Sequence, residues 1–160
     1  MTFDKEFIGK LLAQAGENPR LRQNFDLRTD AGDGSQRMLN ALLPGTVVPV
    51  HRHPHSSETV VLLCGRLDEV IYEEVQPGAD LPQGAESSAQ SGEELPQAAD
   101  ASGRSSLREV ERIHLCPGEG RYGCQVPSGA WHTVEVLEPS VIFEAKDGAY
   151  GQDGSVGFPG

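Results

Sequence analysis

Residues 45–65 read GTVVPVHRHPHSSETVVLLCG, and the fold turns on how this stretch is read. Three of the five histidines of the chain lie here with Glu58, among runs of Val and Leu. In an extended strand His51 and His53 stand at i and i+2, so both imidazoles leave the same face. Pro54-His55-Ser56-Ser57 is polar and turn-prone. A second apolar strand follows over residues 59–64, with Glu58 at its start. Folded back beside the first, it aims Glu58 at the two imidazoles. Two imidazoles and a carboxylate converging inside a sheet suit a divalent metal. Without one, buried polar groups would need other partners.

Working outward, 160 residues make a single domain the default. A chain of this size buries a core without disulfides or structural zinc. Three cysteines are an odd number, and Cys64, Cys116 and Cys124 show no C-x-x-C spacing, which argues against a disulfide framework and for a reducing compartment. The N-terminal MTFDKEFIGKLL reads as neither a signal peptide nor a membrane span, so the expectation is a cytoplasmic protein. A formal net charge of −11 disfavours nucleic acid and anionic membranes as partners. That charge is uneven: residues 66–111 hold eleven acidic and three basic side chains, and the rest is close to balanced. Global charge is therefore a poor guide to what a pocket binds.

The motif spacing resembles a known pattern. Gly45, five residues, His51-x-His53, four residues, Glu58, six residues and Gly65 resemble the first cupin motif. Pro127-Ser128-Gly129-Ala130-Trp131-His132 resembles the second. The resemblance implies an all-β fold, a double-stranded β-helix or jelly-roll barrel, with one metal held by His51, His53, Glu58 and His132. Two departures stand: six residues rather than five separate Gly120 from Pro127, and Val136 replaces the usual Asn. They put the local turn in doubt and leave the four ligands in place. The segments NPRLRQNFDLR (18–28), SQRMLNALLPGTVVPVHRHPHSSETVVLL (35–63) and FEAKDGAY (143–150) are similar to the WbuC-family cupin-fold metalloproteins of bacterial polysaccharide gene clusters. That kinship implies a fold and a metal but little chemistry. By resemblance to cupins, a homodimer paired through its sheets is expected.

Residues 3–15 read as a short helix, with Phe3, Phe7, Ile8, Leu11 and Leu12 in an apolar stripe and Gly16 as its stop. Helix and arm, residues 1–35, are expected to pack on a barrel spanning residues 36–160. Arg20, Arg22, Arg28 and Arg37 have two readings. They are surface charges paired with Asp26, Asp30 and Asp33, or Arg37 faces an anionic ligand at the barrel mouth through its two-pronged guanidinium. Further strands are expected over 35–43, 66–75, 106–115, 122–126, 133–137 and 141–145, with residues 146–160 wrapping the surface. Residues 76–106 contain no aromatic residue and an imperfect repeat, GADLPQGAESSAQS followed by GEELPQAADASGRS. Such a segment buries too little to offset its ordering entropy and reads as an acidic, low-complexity loop insertion.

Single residues carry readings of their own. His114 reads as structural and Cys64 as core, while Cys124 could edge the pocket without any sign of an activated thiolate. His55 reads as a mouth-lining neighbour of the ligands. Tyr122, Glu144 and Tyr150 are candidate proton-transfer groups. Three imidazoles and a carboxylate fit Fe(II), Mn(II), Ni(II), Zn(II) or Co(II) and leave up to two positions open on an octahedral ion. One reading is an enzyme, oxygenase or isomerase, acting on a small sugar-derived or carboxylated molecule. The other is a non-catalytic cupin that uses the metal to bind or sense such a ligand. Fold alone does not separate them.

Overall fold

The computed structural model describes residues 1–76, 105–148 and 154–159. The tandem repeat, most of the expected loop over 76–106, and Tyr150 lie outside these residues.

Helix α1 (Lys5–Glu17) begins where Asp4 caps it, the carboxylate accepting from Phe7 N at 2.9 Å. It runs past Gly16 and ends at Asn18, whose backbone is extended. Pro19 explains the later stop, because the residue before a proline is driven out of the helical region. Leu11 and Ala15 bury against Leu39, Ala41 and Val141, with Phe7, Phe25 and Phe143 around them. No described helix is long and apolar enough to cross a membrane.

Among the described residues, ten strands make two five-stranded sheets. The first contains β1 (Arg22–Asp26), β2 (Ser35–Leu42), β4 (Glu58–Cys64), β7 (Gly123–Val126) and β9 (Ser140–Asp147), in the order β1-β2-β9-β4-β7. The second contains β3 (His51–Arg52), β5 (Leu67–Val75), β6 (Ser106–Leu115), β8 (Trp131–Val136) and β10 (Val156–Gly157), in the order β10-β3-β8-β5-β6. The paired strands run antiparallel, and successive strands alternate between the sheets except for β1–β2 and β5–β6, which pair within one sheet. That is the jelly-roll, double-stranded β-helix of cupins. The arginine-rich segment, for which the sequence suggested no strand, pairs along all of β1 with β2.

Side chains alternate across each strand, and cross-strand partners share a face. Gln36, Met38, Asn40 and Leu42 on β2 therefore point inward with Ile142, Glu144 and Lys146 on β9 and Glu58, Val60 and Leu62 on β4. Lys146 belongs to this strand and is buried, not part of a surface tail as expected. Leu42, Val60, Leu62, Leu67, Leu115 and Ile142 close one end of the barrel as an apolar floor. Burying each such Leu or Ile contributes about 1.5–3 kcal/mol. Above the floor the interior turns polar.

Two turns fix the motifs. Gly65 has φ +89°, and a Cβ placed there would lie 2.3 Å from the Pro139 carbonyl oxygen. Only glycine fits that approach. Gly129, at φ +80°, donates its N–H to His53 O at 2.8 Å, and Ser128 Oγ donates to Pro54 O at 3.0 Å. The turn of the second motif is thus tied to the backbone of the first. A short 3₁₀ turn, Pro117–Glu119, precedes Gly120, which takes the left-handed region, and the extra residue falls in the segment between Gly120 and Pro127.

Candidate metal centre and cavity

His51 on β3 pairs with His132 on β8, so two imidazoles meet across one sheet. His53 follows β3 and Glu58 opens β4 on the facing sheet. The ring centroids lie 4.3 Å apart for His51 and His132, 5.0 Å for His51 and His53, and 5.3 Å for His53 and His132. One nitrogen or oxygen from each of His51, His53, Glu58 and His132 falls within 4.8 Å of the others.

The hydrogen bonds around the rings say which atoms face inward. His51 Nδ1 lies 3.0 Å from Pro49 O, and His132 Nδ1 lies 3.0 Å from Ala130 O. Carbonyl oxygens only accept, so each Nδ1 holds the proton and each Nε2 keeps a lone pair. His53 Nδ1 meets Ser155 Oγ at 2.8 Å and Lys146 Nζ at 2.9 Å. Glu58 Oε2 is buried, with no donor in hydrogen-bonding geometry among the described residues. Yet His53 Nε2 is only 2.6 Å away and His132 Nε2 3.7 Å away. Lone pairs converging on a buried carboxylate oxygen fit a cation held between them. Lys146 Nζ, 3.2 Å from His53 Nε2, is the exception. Its flexible stem has to swing aside for a metal to take that lone pair.

The electrostatics follow from crowding. Burial, then the neighbouring His132, lowers His51 to about 4, which keeps the ring neutral and ligating at neutral pH. Burial by itself would raise Glu58, but the close His132 and His53 rings outweigh it and hold the carboxyl well below its usual range. Burial first, then the Glu58 charge, pushes Glu144 far up, and burial does the same to Glu69. Three carboxyl groups share one small chamber, with Glu58 shifted towards its charged form and Glu69 and Glu144 shifted the other way.

The cluster opens into a cavity of about 340 Å³. That is near the lower end for small-molecule sites, roughly 300–1,000 Å³. Glu144 lines it, accepting a short hydrogen bond from Asn40. Arg20 and Arg22 line it too, beside Asn18, Gln23 and Asn24. Arg37, His55 and Tyr122 do not. Arg37 has the opposite parity to Gln36 and Met38 on β2 and pairs with Asp33. His55 is exposed in the turn after β3. Tyr122 is exposed before β7, its carbonyl accepting from Leu62 N at 2.7 Å. Cys124 packs against the apolar floor outside the cavity lining, and His114 pairs with Asp68 on the surface. Sequence reasoning missed Lys146, Gln36 and Glu69 as lining residues. The signal for Lys146 was its step of two from Glu144. For Gln36 and Glu69 it was a lone polar residue in phase with apolar neighbours.

A sequence-family profile described as a domain of unknown function (DUF6016) matches residues 3–77. No curated protein matches the chain. Similar solved structures include an oxalate oxidase in complex with the substrate analogue glycolate, at 15% identity and TM-score 0.46, covering 89% of this chain and 57% of that one. KdgF from Halomonas sp. is similar at 14% identity and TM-score 0.45, covering 82% of this chain and 83% of that one. An L-ribose isomerase from Acinetobacter sp. DL28 in complex with L-ribose is similar at 12% identity and TM-score 0.45, covering 81% of this chain and 59% of that one. The chain thus spans 57% of the oxalate oxidase chain. These likenesses assign no ligand or reaction here.

Proposed function

We propose that the protein is a metal-dependent cupin in which His51, His53, Glu58 and His132 hold one divalent transition metal beside a cavity for a small polar molecule. The observation that carries this reading is the convergence of two anchored imidazole Nε2 lone pairs and His53 on a buried carboxylate oxygen with no hydrogen-bond partner among the described residues. Bound there, such a metal supplies Lewis acidity to an oxygen-bearing ligand. The protein's own groups supply the rest. The backbone carbonyls of Pro49 and Ala130 fix the ring orientation of His51 and His132. Glu144, raised by burial and by the Glu58 charge, offers a carboxyl group to the chamber and accepts a hydrogen bond from Asn40. The apolar floor and the walls of the barrel exclude bulk water.

The kinship to WbuC-family proteins, and with it a link to polysaccharide biosynthesis, belongs to the same proposal and rests on the sequence segments that carry it. The direct test is elemental analysis of untagged wild type and His51→Ala. Near-stoichiometric metal in the wild type, lost in the variant, is the expected result. Equal metal in both proteins, or none in either after metal addition, would overturn the assignment.

A further inference from the structure

Two oxygens of the chamber have no hydrogen-bond partner among the described residues and belong to side chains outside the metal cluster: Gln36 Oε1 and Glu69 Oε1. Their side chains are 4% and 1% exposed, and both residues line the cavity. They come from opposite sheets. Gln36 lies on β2 across from Lys146 of β9, and Glu69 lies on β5 across from Val134 of β8. A polar group taken from water without a partner carries a standing cost. An occupant of the cavity that supplies the missing hydrogen bonds removes it.

The two atoms restrict what that occupant is. The amide oxygen of Gln36 only accepts, so it needs a donor. A carboxylate or phosphate has none to give, and the cations that would draw one in, Arg20, Arg22 and Lys146, share the lining with Glu58, Glu69 and Glu144 of opposite sign. An amine would donate, but the Lys146 ammonium lines the same cavity and repels a second cation. A hydroxyl donates to Gln36. It also pairs with Glu69 whether that carboxyl accepts or donates, because a hydroxyl does both. Met38, Val134 and Ile142 offer apolar wall between the polar groups, as the C–H faces of a sugar require.

We propose that Gln36 and Glu69 form a hydroxyl-reading wall that selects a neutral, polyhydroxylated ligand over a small dicarboxylate. The proposal deepens the metal-dependent reading and rests on it, since a metal held by His51, His53, Glu58 and His132 would border the same cavity.

The test is calorimetric titration of the full-length protein after Mn(II) loading, with D-ribose, xylitol and oxalate as probes. At least one of the two polyhydroxylated probes is expected to bind more tightly than oxalate. Gln36→Met and Glu69→Met are expected to weaken that binding about tenfold or more, with metal content unchanged. Glu69→Gln, which keeps a hydrogen-bonding group of the same shape, is expected to retain it and guards against a mere packing defect. Oxalate binding more tightly than both polyols, polyols that do not bind, or Gln36→Met and Glu69→Met binding as wild type would each overturn the wall. His51→Ala separates the two readings: unchanged metal content in that variant sinks the metal centre, whatever the polyols do.

Discussion

Replacing Glu58 by Gln tests the metal centre with little change of shape. The amide keeps the volume of the carboxyl but removes the charge and one lone-pair oxygen where the imidazoles converge. Losing an outer-shell partner of a metal ligand typically costs ten- to a hundredfold in affinity, so losing a direct ligand is set at about a hundredfold or more. A metal present at about 1,000 times its dissociation constant stabilises the folded state by about 4 kcal/mol. A hundredfold weaker site leaves about 1.4 kcal/mol. For a chain of 160 residues, each kcal/mol moves Tm by about 2–4 °C. The metal-induced rise in Tm is therefore expected to fall from about 8–16 °C in the wild type to about 3–6 °C in Glu58→Gln. Differential scanning calorimetry with and without Mn(II) at one fixed concentration reads both numbers. Circular dichroism of the metal-free proteins checks that the barrel is intact. A variant that folds and shows the wild-type rise would refute the claim that Glu58 is a ligand.

Other outcomes follow from particular contacts. Gly65→Ala places a methyl group 2.3 Å from Pro139 O at φ +89°. Overpacking and left-handed strain together are expected to cost about 2–5 kcal/mol, read by urea denaturation. Leu62→Ala opens a hole in the apolar floor and is expected to cost about 2–5 kcal/mol without changing metal content. Arg37→Ala removes only the partly exposed pair with Asp33. It is expected to shift stability by less than about 1 kcal/mol and to leave metal binding as in the wild type. Burial first, then the Glu69 and Glu58 charges, pushes the Cys124 thiol up to about 12. Thiolate is scarce below that pH, so iodoacetamide is expected to label Cys124 far more slowly than an ordinary thiol at pH 8, and faster only as the pH climbs towards 12. Mass spectrometry of the labelled protein follows both rates.

The sequence made the barrel legible because its motifs are turns and strands of fixed length. His51-x-His53 and the four residues before Glu58 leave the chain few ways to run other than strand, turn and strand. His132, far along the chain, is less accessible to local reasoning. It meets His51 only through the β3–β8 pairing, and the Pro-Ser-Gly turn is the one local sign of it. The misses have a common physical origin in strand parity. Arg37 is attractive by chemistry but sits one residue out of phase with Gln36 and Met38, and a single step sends a side chain to the other face. Lys146 was hidden because the glycines after it suggested a tail, although β9 continues through Asp147. The helix end shows local competition instead, with Pro19 overriding the weaker stop at Gly16.

The tie from Gly129 N and Ser128 Oγ to the carbonyls of His53 and Pro54 has a consequence for how the protein is assembled in time. A chain still emerging from synthesis presents His51, His53 and Glu58 long before residue 128 exists. Until then the three donors are an open, solvated trio that any scavenging chelator can strip. When the late turn latches onto the early one, it brings His132 and anchors the loop carrying His53 in the same event. On the proposed ligand set, retention of a metal would coincide with completion of the barrel, because the fourth ligand and the latch arrive together.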